Sequence, residues 1–192
     1  MDLRVRRTRT SITNAFIELR ARKPIEKITV KELADAAFIN KATFYQHYRD
    51  IYDLSESMET ELIGNIVRSI PHPDTLIDNP GRATLEISQA MMSQTALLHT
   101  LFSDSRQSVM ADRLEEGIRR QILLKHPEYE NDPEKEILIT FLIQGNLHAF
   151  FKHGSSHPEE TVSILARYSE QAAASDSAVN TKTACDMVLN TI

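Results

Sequence analysis

Apolar residues recur at three- and four-residue intervals along most of this chain, and no other feature restricts its possible folds as strongly. The longest row comprises Ile51, Leu54, Met58, Leu62 and Ile66, which would share one face of a single helix. The alternation of apolar and polar residues that is typical of strands is rare. Only five glycines and seven prolines interrupt the 192 residues. The sequence therefore predicts an all-α protein.

Capping residues and prolines divide the chain into about nine predicted helices. The first is expected from about Thr8 to Arg22, because Lys23-Pro24 disfavours further helical backbone. Asp50 is predicted to cap a long fourth helix, which carries the apolar row described above. Two alternatives stay open for the tail from Ser175, where 184–192 either forms a short helix or frays. The helices between the fourth helix and this tail are predicted at about 82–92, 94–103, 106–126, 134–153 and 158–174.

The charges are divided unevenly between residues 1–50, here called the head, and residues 51–192, called the body. The head contains 11 Lys+Arg and 6 Asp+Glu, and the body contains 11 Lys+Arg and 21 Asp+Glu. Their net charges are therefore +5 and -10, within a total of -5. A basic head on an acidic body predicts a polyanionic partner for the head, and it disfavours unspecific adhesion of the body.

The single cysteine and the hydropathy pattern indicate a compartment. Cys185 cannot form a disulfide within the chain, which is typical of a reducing interior, and we expect it to be an ordinary tail residue. The start of the sequence reaches no apolar stretch of the signal-peptide kind. The most apolar segment, 137–143, is far shorter than the roughly 20 residues that span a bilayer. We therefore expect a cytoplasmic protein without a membrane partner.

The head contains two short predicted helices separated by a tight turn. Thr29 and Glu32 have the spacing of a capping box, in which each side chain accepts a hydrogen bond from the other residue's amide. This box starts a second helix that ends near Ala37. Asn40 is then predicted to cap a third helix, Lys41 to about Tyr48. Two short helices around such a turn form a helix-turn-helix.

The third helix has the composition of a DNA recognition helix. Short side chains near its start would let it approach base edges closely, and hydrogen-bonding side chains follow them. Ile39 and Phe44 would pack inward on Val30, Leu33 and Phe16, and Tyr48 also falls on the inward face. The side chains on the outward face are Asn40, Lys41, Ala42, Thr43, Tyr45, Gln46 and His47.

Residues 37–48 read Ala-Phe-Ile-Asn-Lys-Ala-Thr-Phe-Tyr-Gln-His-Tyr. This stretch resembles the TetR family of regulators, whose pattern is roughly small-Gly-Val-Ser-any-small-Thr-Phe/Leu-Tyr-any-His-Phe, and the resemblance covers about residues 5–60. It implies a three-helix DNA-binding head at 1–50 and a larger helical regulatory and dimerisation body at 51–192. It also implies a repressor that a small-molecule effector releases from a palindromic operator, with neither catalysis nor a cofactor.

The resemblance implies roles for individual residues of the head. Lys41, Ala42 and Gln46 would face base edges, Lys41 suiting guanine O6/N7 and Gln46 suiting adenine N6/N7. The other expected DNA-binding residues, which would mostly hold the backbone, are Thr29, Lys31, Asn40, Thr43, Tyr45, His47 and Arg49. Arg4, Arg6 and Arg7 would form an arm before the first helix that reaches a minor groove or phosphates, or that is simply solvated when DNA is absent.

The head departs from the family pattern at two positions. Phe38 stands where the family usually has glycine, a position that often needs a positive φ. We expect either a differently shaped turn or a buried ring that offsets the strain. Ile51 stands where many members carry a lysine that contacts phosphate, and Arg49 is the expected substitute.

Two predicted helices of the body suit a dimer interface. The segment 134–153 is apolar nearly all round, so one side can face the core while another needs a partner. The segment 158–174 is amphipathic, and Gly145 would allow close helix approach. Two such helices from each subunit would form a four-helix homodimer interface, which is also where TetR relatives dimerise.

An effector pocket is expected in the body, because TetR relatives usually sense a small molecule there. Methionines and aromatic residues suit an adaptable apolar pocket, and we place it between the fourth helix and its neighbours. The candidate lining residues are Met58, Leu62, Met91, Phe102, Met110, Phe141, Gln144 and His148.

Two other classes of protein remain as alternatives. A metal-dependent enzyme would use His148, His153 and His157, but a five-residue step turns about 140° around a helix and separates the first two. No HExxH motif or CxxC pair supports a metal site. An interaction-only adaptor with a vestigial DNA-binding head is the other alternative, and Phe38 and Ile51 are the features that favour it.

Overall fold

The computed structural model describes residues 3–102, 106–154 and 156–174. These residues form an all-helical structure in which no strand occurs, with 3-10 turns at Ile25–Lys27, Pro73–Leu76 and Pro127–Tyr129. The predicted all-α class and the predicted count of about nine helices are therefore confirmed for this part of the chain. The nine α-helices are α1 Leu3–Arg20, α2 Val30–Ala36, α3 Lys41–Tyr45, α4 Ile51–Ser69, α5 Pro80–Met92, α6 Thr95–Leu101, α7 Gln107–Lys125, α8 Pro133–His153 and α9 Pro158–Ala174.

Helix α1 begins earlier than the sequence pattern predicted. It starts at Leu3, so the predicted arm of Arg4, Arg6 and Arg7 forms its first two turns and does not precede it. The prediction was wrong because it placed the start of the helix close to the first apolar stripe. Arginine and leucine are themselves good helix formers, and no glycine or proline interrupts the segment.

Helix α3 is shorter than predicted, because the chain tightens after Tyr45. The amide of His47 donates to the carbonyl of Phe44 at 2.9 Å, which is a three-residue step, and the amide of Tyr48 donates to the same oxygen at 3.0 Å. The segment up to Tyr48 is thus still hydrogen-bonded, although regular α-helix ends three residues earlier. Asp50 caps α4 as predicted, since its Oδ1 accepts from the amide of Asp53 at 2.8 Å.

The described chain divides into two compact units, with boundaries after Ile66, Ala90 and Arg113. The first unit contains α1, α2, α3, α6 and most of α4, and within it α1 packs against α2 and α6 while α2 packs against α3. Its large, fully buried apolar side chains are Ile12, Phe16, Leu33, Phe44, Leu54, Ile66, Leu101 and Met110.

The first unit also buries a charged residue. Glu59 of α4 is fully buried, and its Oε1 accepts from Ser55 Oγ at 2.8 Å. Its Oε2 accepts from Arg106 Nη2 at 2.6 Å, and Arg113 Nη2 lies 3.7 Å from the same oxygen. Two guanidinium groups and a hydroxyl therefore replace the water that a buried carboxylate loses.

The second unit contains α8, α9 and most of α5 and α7, and within it α8 packs against α9. Its core contains Leu114, Ile118, Ile122, Leu142 and Ala166. The unit also buries the hydroxyls of Thr84 and Ser169. The half-buried Asn146 donates from Nδ2 to Ser169 Oγ at 2.9 Å and to Thr84 Oγ1 at 3.2 Å. These hydrogen bonds satisfy side chains from α5, α8 and α9 together.

Gly81 allows the start of α5 to approach α9 closely within the second unit. Its amide donates to Glu170 Oε2 at 2.9 Å. A Cβ at this position would lie 2.8 Å from the same oxygen and 3.0 Å from the carbonyl oxygen of Ala166. A side chain here would require the Glu170 carboxylate to move and the backbone of α9 to give by a few tenths of an ångström.

None of the described helices combines the length and the apolar character that crossing a membrane requires. The predictions for Cys185 and for the tail from Ser175 lie outside the described residues.

Candidate nucleic-acid interface

The start of α2 is capped as its sequence predicted, but only by half of the expected box. Thr29 Oγ1 accepts from the amide of Glu32 at 3.2 Å. The Glu32 carboxylate, expected to reach back to Thr29, instead forms an ion pair with Lys23 Nζ. The cationic side chain in the connector offers this carboxylate a charged partner, which binds it more strongly than an exposed amide does. Thr29 and Lys31 are both exposed at this end of α2.

The turn after α2 is a Schellman motif with phenylalanine in the left-handed position. The amide of Ile39 donates to the carbonyl of Ala34 at 3.0 Å, and the amide of Phe38 donates to that of Asp35 at 3.2 Å. These are the two hydrogen bonds that define the motif, whose left-handed residue is usually glycine. Phe38 occupies that position with a φ of 56°.

Phe38 is 95% exposed. Both expectations for this residue were therefore wrong, because the turn keeps the shape that glycine normally supports and the ring is not buried to offset it. The carbonyl of the preceding residue, Ala37, accepts a hydrogen bond from Ser11 Oγ of α1 at 2.7 Å. The turn is thus held from α2 by backbone hydrogen bonds and from α1 by a side chain.

Asn40 organises the start of α3. Its Oδ1 accepts from the amide of Thr43 at 2.7 Å and from the Thr43 hydroxyl at 3.0 Å. The first bond is the predicted cap, since it satisfies one amide that the helix leaves open. The second commits the hydroxyl proton of Thr43 within the chain, so that this oxygen is left as an acceptor toward any other group.

The short helix α3 has one buried face and one exposed face. Phe44 is fully buried and Tyr48, just beyond the helix, is 5% exposed, so both pack inward as predicted. Tyr45 is 56% exposed. His47 and Ile39 are half-buried at the border between the faces. The predicted outward residues that share the exposed face with Tyr45 are Asn40, Lys41, Ala42 and Gln46.

A cleft lies between the first turns of α1 and the α2–α3 turn. Arg4, Val5 and Thr8 form its α1 side. The opposite side consists of Phe38, Ile39, Asn40, Thr43, Gln46 and His47. Arg6 and Arg7 line a different depression, together with Thr10 and Asn14. Of the three predicted arm residues, Arg4 is therefore the one that this cleft joins to α3.

At the start of α4, the structure shows the environments of Ile51, which stands where many TetR members carry a lysine, and of Arg49, its expected substitute. Ile51 is 5% exposed and belongs to the core of the first unit. Arg49 is highly exposed, and its guanidinium donates to Asp53 Oδ1 from Nη2 at 2.9 Å and from Nε at 3.2 Å. The backbone amide of Arg49 donates to Asp53 Oδ2 at 2.9 Å. These bonds, the backbone one foremost, lower the pKa of the Asp53 carboxyl, so a phosphate at Arg49 would compete with this carboxylate.

The residues proposed for an effector pocket are distributed over both units. Leu62, Met91, Phe102 and Met110 are buried in the first unit, whereas Met58 is half-buried and lines a surface depression with Arg9 and Tyr48. In the second unit Phe141 and His148 are exposed on α8. Gln144 donates to Glu115 Oε2 at 2.8 Å. The sequence pattern missed the buried Glu59 ion pair, although a glutamate beside the apolar row of α4 was a visible signal.

No group of three His, Cys, Asp or Glu side chains within residues 3–102, 106–154 and 156–174 is arranged to hold a metal ion. Neither a protein-family model nor a curated protein sequence matches this chain.

Proposed function

We propose that this protein is a DNA-binding transcriptional regulator, in which α2, the turn at Phe38 and α3 form a helix-turn-helix of the TetR kind. The observation that carries the proposal is the division of α3 into two faces. Its aromatic anchor Phe44 is fully buried, while the side chains of Lys41, Tyr45 and Gln46 are exposed together. A recognition helix needs this arrangement, because its outward side chains must reach base edges while its backbone stays fixed.

The charge distribution supports DNA as the partner of this face. The head carries a net charge of +5 in a chain whose total is -5. Arg4 lies in the cleft beside α3, and none of the nine described residues that line this cleft carries a carboxylate. A phosphate backbone would therefore meet cationic and neutral donors here, and the acidic body would be repelled from it.

Individual roles follow from side-chain chemistry and exposure. Lys41 would donate to guanine O6/N7, and Gln46 would pair with adenine N6/N7. Tyr45, with Thr29, Lys31 and His47, would hold the sugar-phosphate backbone. Thr43 would serve chiefly to complete the Asn40 cap, since its hydroxyl already donates within the chain. Arg49 would have to break its ion pair with Asp53 in order to bind a phosphate.

The active form would be a homodimer joined through α8 and α9. Each helix exposes an apolar row in the single chain, Ile137 and Phe141 on α8 and Ile164 and Tyr168 on α9. A Cβ added at Gly145 of α8 would meet no atom within 4 Å, so its surface is open to a close neighbour. A two-fold dimer would present two copies of α3 to half-sites about 34–36 Å apart.

We further propose that the regulator is a repressor whose body binds a small apolar effector. The buried methionines and aromatic residue of the first unit, Met91, Met110 and Phe102, support an adaptable apolar interior there. Release of DNA would follow if the effector binds more tightly to a form whose two copies of α3 no longer match the half-sites.

The deciding experiment is selection of DNA by the purified full chain from random fragments, followed by fluorescence titration of the selected site. The affinity should fall steeply with salt, because phosphate contacts release counterions. Gln46→Ala should relax the preference at one base position at a cost of about 1–3 kcal/mol. Lys41→Ala should weaken the selected site specifically.

A charge-matched control is Arg120→Ala, which removes one exposed cation from α7. It should leave the affinity for the selected site unchanged. Absence of any sequence preference at every salt concentration would contradict the proposal and would favour an interaction-only protein. A tight metal ion in the purified chain, found by elemental analysis, would instead reopen the case for an enzyme.

A further inference from the structure

We infer that Phe38 is a base-reading residue, whose ring contacts the 5-methyl group of a thymine next to the bases that α3 faces. The inference rests on the proposed function, because it assumes that duplex DNA occupies this side of the head. Three observations carry it: the backbone conformation of Phe38, its exposure, and the chemistry of the cleft that this residue lines.

The backbone conformation makes phenylalanine a costly choice at this position. A φ of 56° places Phe38 in the left-handed region, which side chains with a Cβ rarely adopt. The two Schellman hydrogen bonds to Ala34 and Asp35 hold the residue there. Glycine would make the same bonds without the steric penalty.

The free protein gains no compensating burial from the ring. Core aromatic residues of the same unit, such as Phe16 and Phe44, are fully buried, whereas Phe38 is 95% exposed. An exposed aromatic ring keeps its apolar surface in water, so it adds no hydrophobic stabilisation to the folded chain. Whatever this side chain contributes must therefore be realised against a partner.

The cleft that Phe38 lines indicates what that partner is. Arg4 stands on its α1 side, and the polar side chains of Asn40, Gln46 and His47 stand on its α3 side. A partner here must offer negative charge and hydrogen-bonding groups as well as an apolar group beside them. The major groove of DNA offers phosphates and base edges, and its one apolar group is the thymine 5-methyl.

The position of Phe38 in the chain also indicates a contact with DNA bases. Phe38 precedes the α3 cap Asn40 by two residues, so it borders the N-terminal end of the helix that carries Lys41 and Ala42. The N-terminal residues of a recognition helix are the ones that meet base edges. A ring at this border would extend the base-reading surface by one apolar contact, which glycine at the same position could not make.

The test uses the DNA site selected by the full chain, with each thymine replaced singly by deoxyuridine to remove only its methyl group. We expect one such replacement in each half-site to weaken the wild-type complex by about three- to five-fold, the factor for burying one methyl group. Phe38→Gly should lose affinity for the thymine site by at least that factor and should no longer distinguish thymine from uracil there.

Two further readouts separate this role from a structural one. Phe38→Gly should keep the salt dependence of binding, because a neutral ring releases no counterion. It should raise Tm, because it relieves the left-handed strain without removing a buried group. Phe38→Leu should retain part of the thymine preference. Leu124→Ala removes an exposed apolar side chain from α7 and should change none of these quantities.

The outcomes are distinct for the inference and for the proposed function. The inference is overturned if Phe38→Gly binds the selected site as tightly as the wild type, if no thymine replacement is sensed, or if the thymine preference survives in Phe38→Gly. A fall in Tm for Phe38→Gly would also overturn it, since the ring would then stabilise the free fold or a protein contact. Failure of the wild type to prefer any DNA contradicts the proposed function itself.

Discussion

The rings of Phe44 and Tyr45 meet edge to face, with centroids 5.5 Å apart and planes at 81°. Phe44 is fully buried, whereas Tyr45 is 56% exposed. The exposed ring is thus held by a neighbour that cannot move without opening the core of the first unit, and such aromatic pairs add stabilisation beyond their buried area. An outward tyrosine fixed in this way presents its hydroxyl with little loss of side-chain freedom on binding.

Tyr45 should therefore contribute to DNA affinity through both its ring and its hydroxyl. Tyr45→Ala should abolish binding to the selected site in a gel-shift assay while leaving the dimer intact in size-exclusion chromatography with light scattering. Tyr45→Phe keeps the contact with Phe44 and should lose about ten-fold or more in affinity if the hydroxyl donates to a phosphate. Unchanged affinity in Tyr45→Phe would assign the contact to the ring alone.

Two substitutions of Asn40 should distinguish its contribution to folding stability from its place beside the DNA. Asn40→Ala removes the acceptor for the amide and hydroxyl of Thr43 and should lower the free energy of unfolding by about 1 kcal/mol in urea titrations. Asn40→Asp retains the acceptor, so the stability should stay close to that of the wild type. Its new negative charge should nevertheless weaken DNA binding. Equal DNA affinity in Asn40→Asp and wild type would place this end of α3 away from the phosphates.

The buried carboxylate of Glu59 should dominate the electrostatic contribution to stability in the first unit. Glu59→Leu removes the partner of Arg106 and should lower the free energy of unfolding by about 2–4 kcal/mol, less than a fully enclosed pair because both arginines reach solvent. The matched control is Glu56→Leu on the same helix, where the carboxylate is 64% exposed and pairs with Arg113 at 3.3 Å. This change should cost less than about 1 kcal/mol. If Glu59→Leu and Glu56→Leu lowered the free energy of unfolding by similar amounts, the dominant role given to the Glu59 carboxylate would be contradicted.

The exposed apolar rows of α8 and α9 should hold the dimer together. Phe141→Asp introduces a charge where the ring is 61% exposed in the single chain, so the folded monomer should tolerate it. Light scattering should then report a monomer, and the affinity for a two-half-site operator should fall because one head must bind alone. Leu124→Asp is the control on α7 and should remain dimeric. A dimeric Phe141→Asp would place the interface elsewhere.

The sequence predicted helix ends well where a residue marks them physically. Asp50 caps α4, and Pro158 begins α9 as expected. The start of α1 was missed because arginines extend a helix without any apolar stripe to announce it. Phe44 and Tyr48 lie inward as predicted, and the side chains of Lys41, Tyr45 and Gln46 are exposed as predicted, because a short capped helix on a core leaves one face open. Ile39, predicted inward, and Thr43 and His47, predicted outward, are instead half-buried at the border between the two faces.

Two features depend on residues far apart in the chain or on a single backbone angle, and the sequence pattern did not reveal them. Glu59 is buried only because Arg106 and Arg113, about fifty residues later, meet it in space. The conformation of Phe38 is imposed by backbone hydrogen bonds that are the same for any residue, so the side chain alone gives no sign that its ring stays in water.

The hydrogen bond from Ser11 to the carbonyl of Ala37 couples the position of α1 to that of the turn after α2. Because α1 also packs against α6 in the same unit, a shift of α6 that carries α1 along must either stretch that bond or drag the turn with it. Thr8 and Arg4 lie one and two turns before Ser11, respectively, on the same side of α1 and form a wall of the cleft. A movement of α1 relative to the turn would therefore change the width of the cleft and the orientation of Phe38 together.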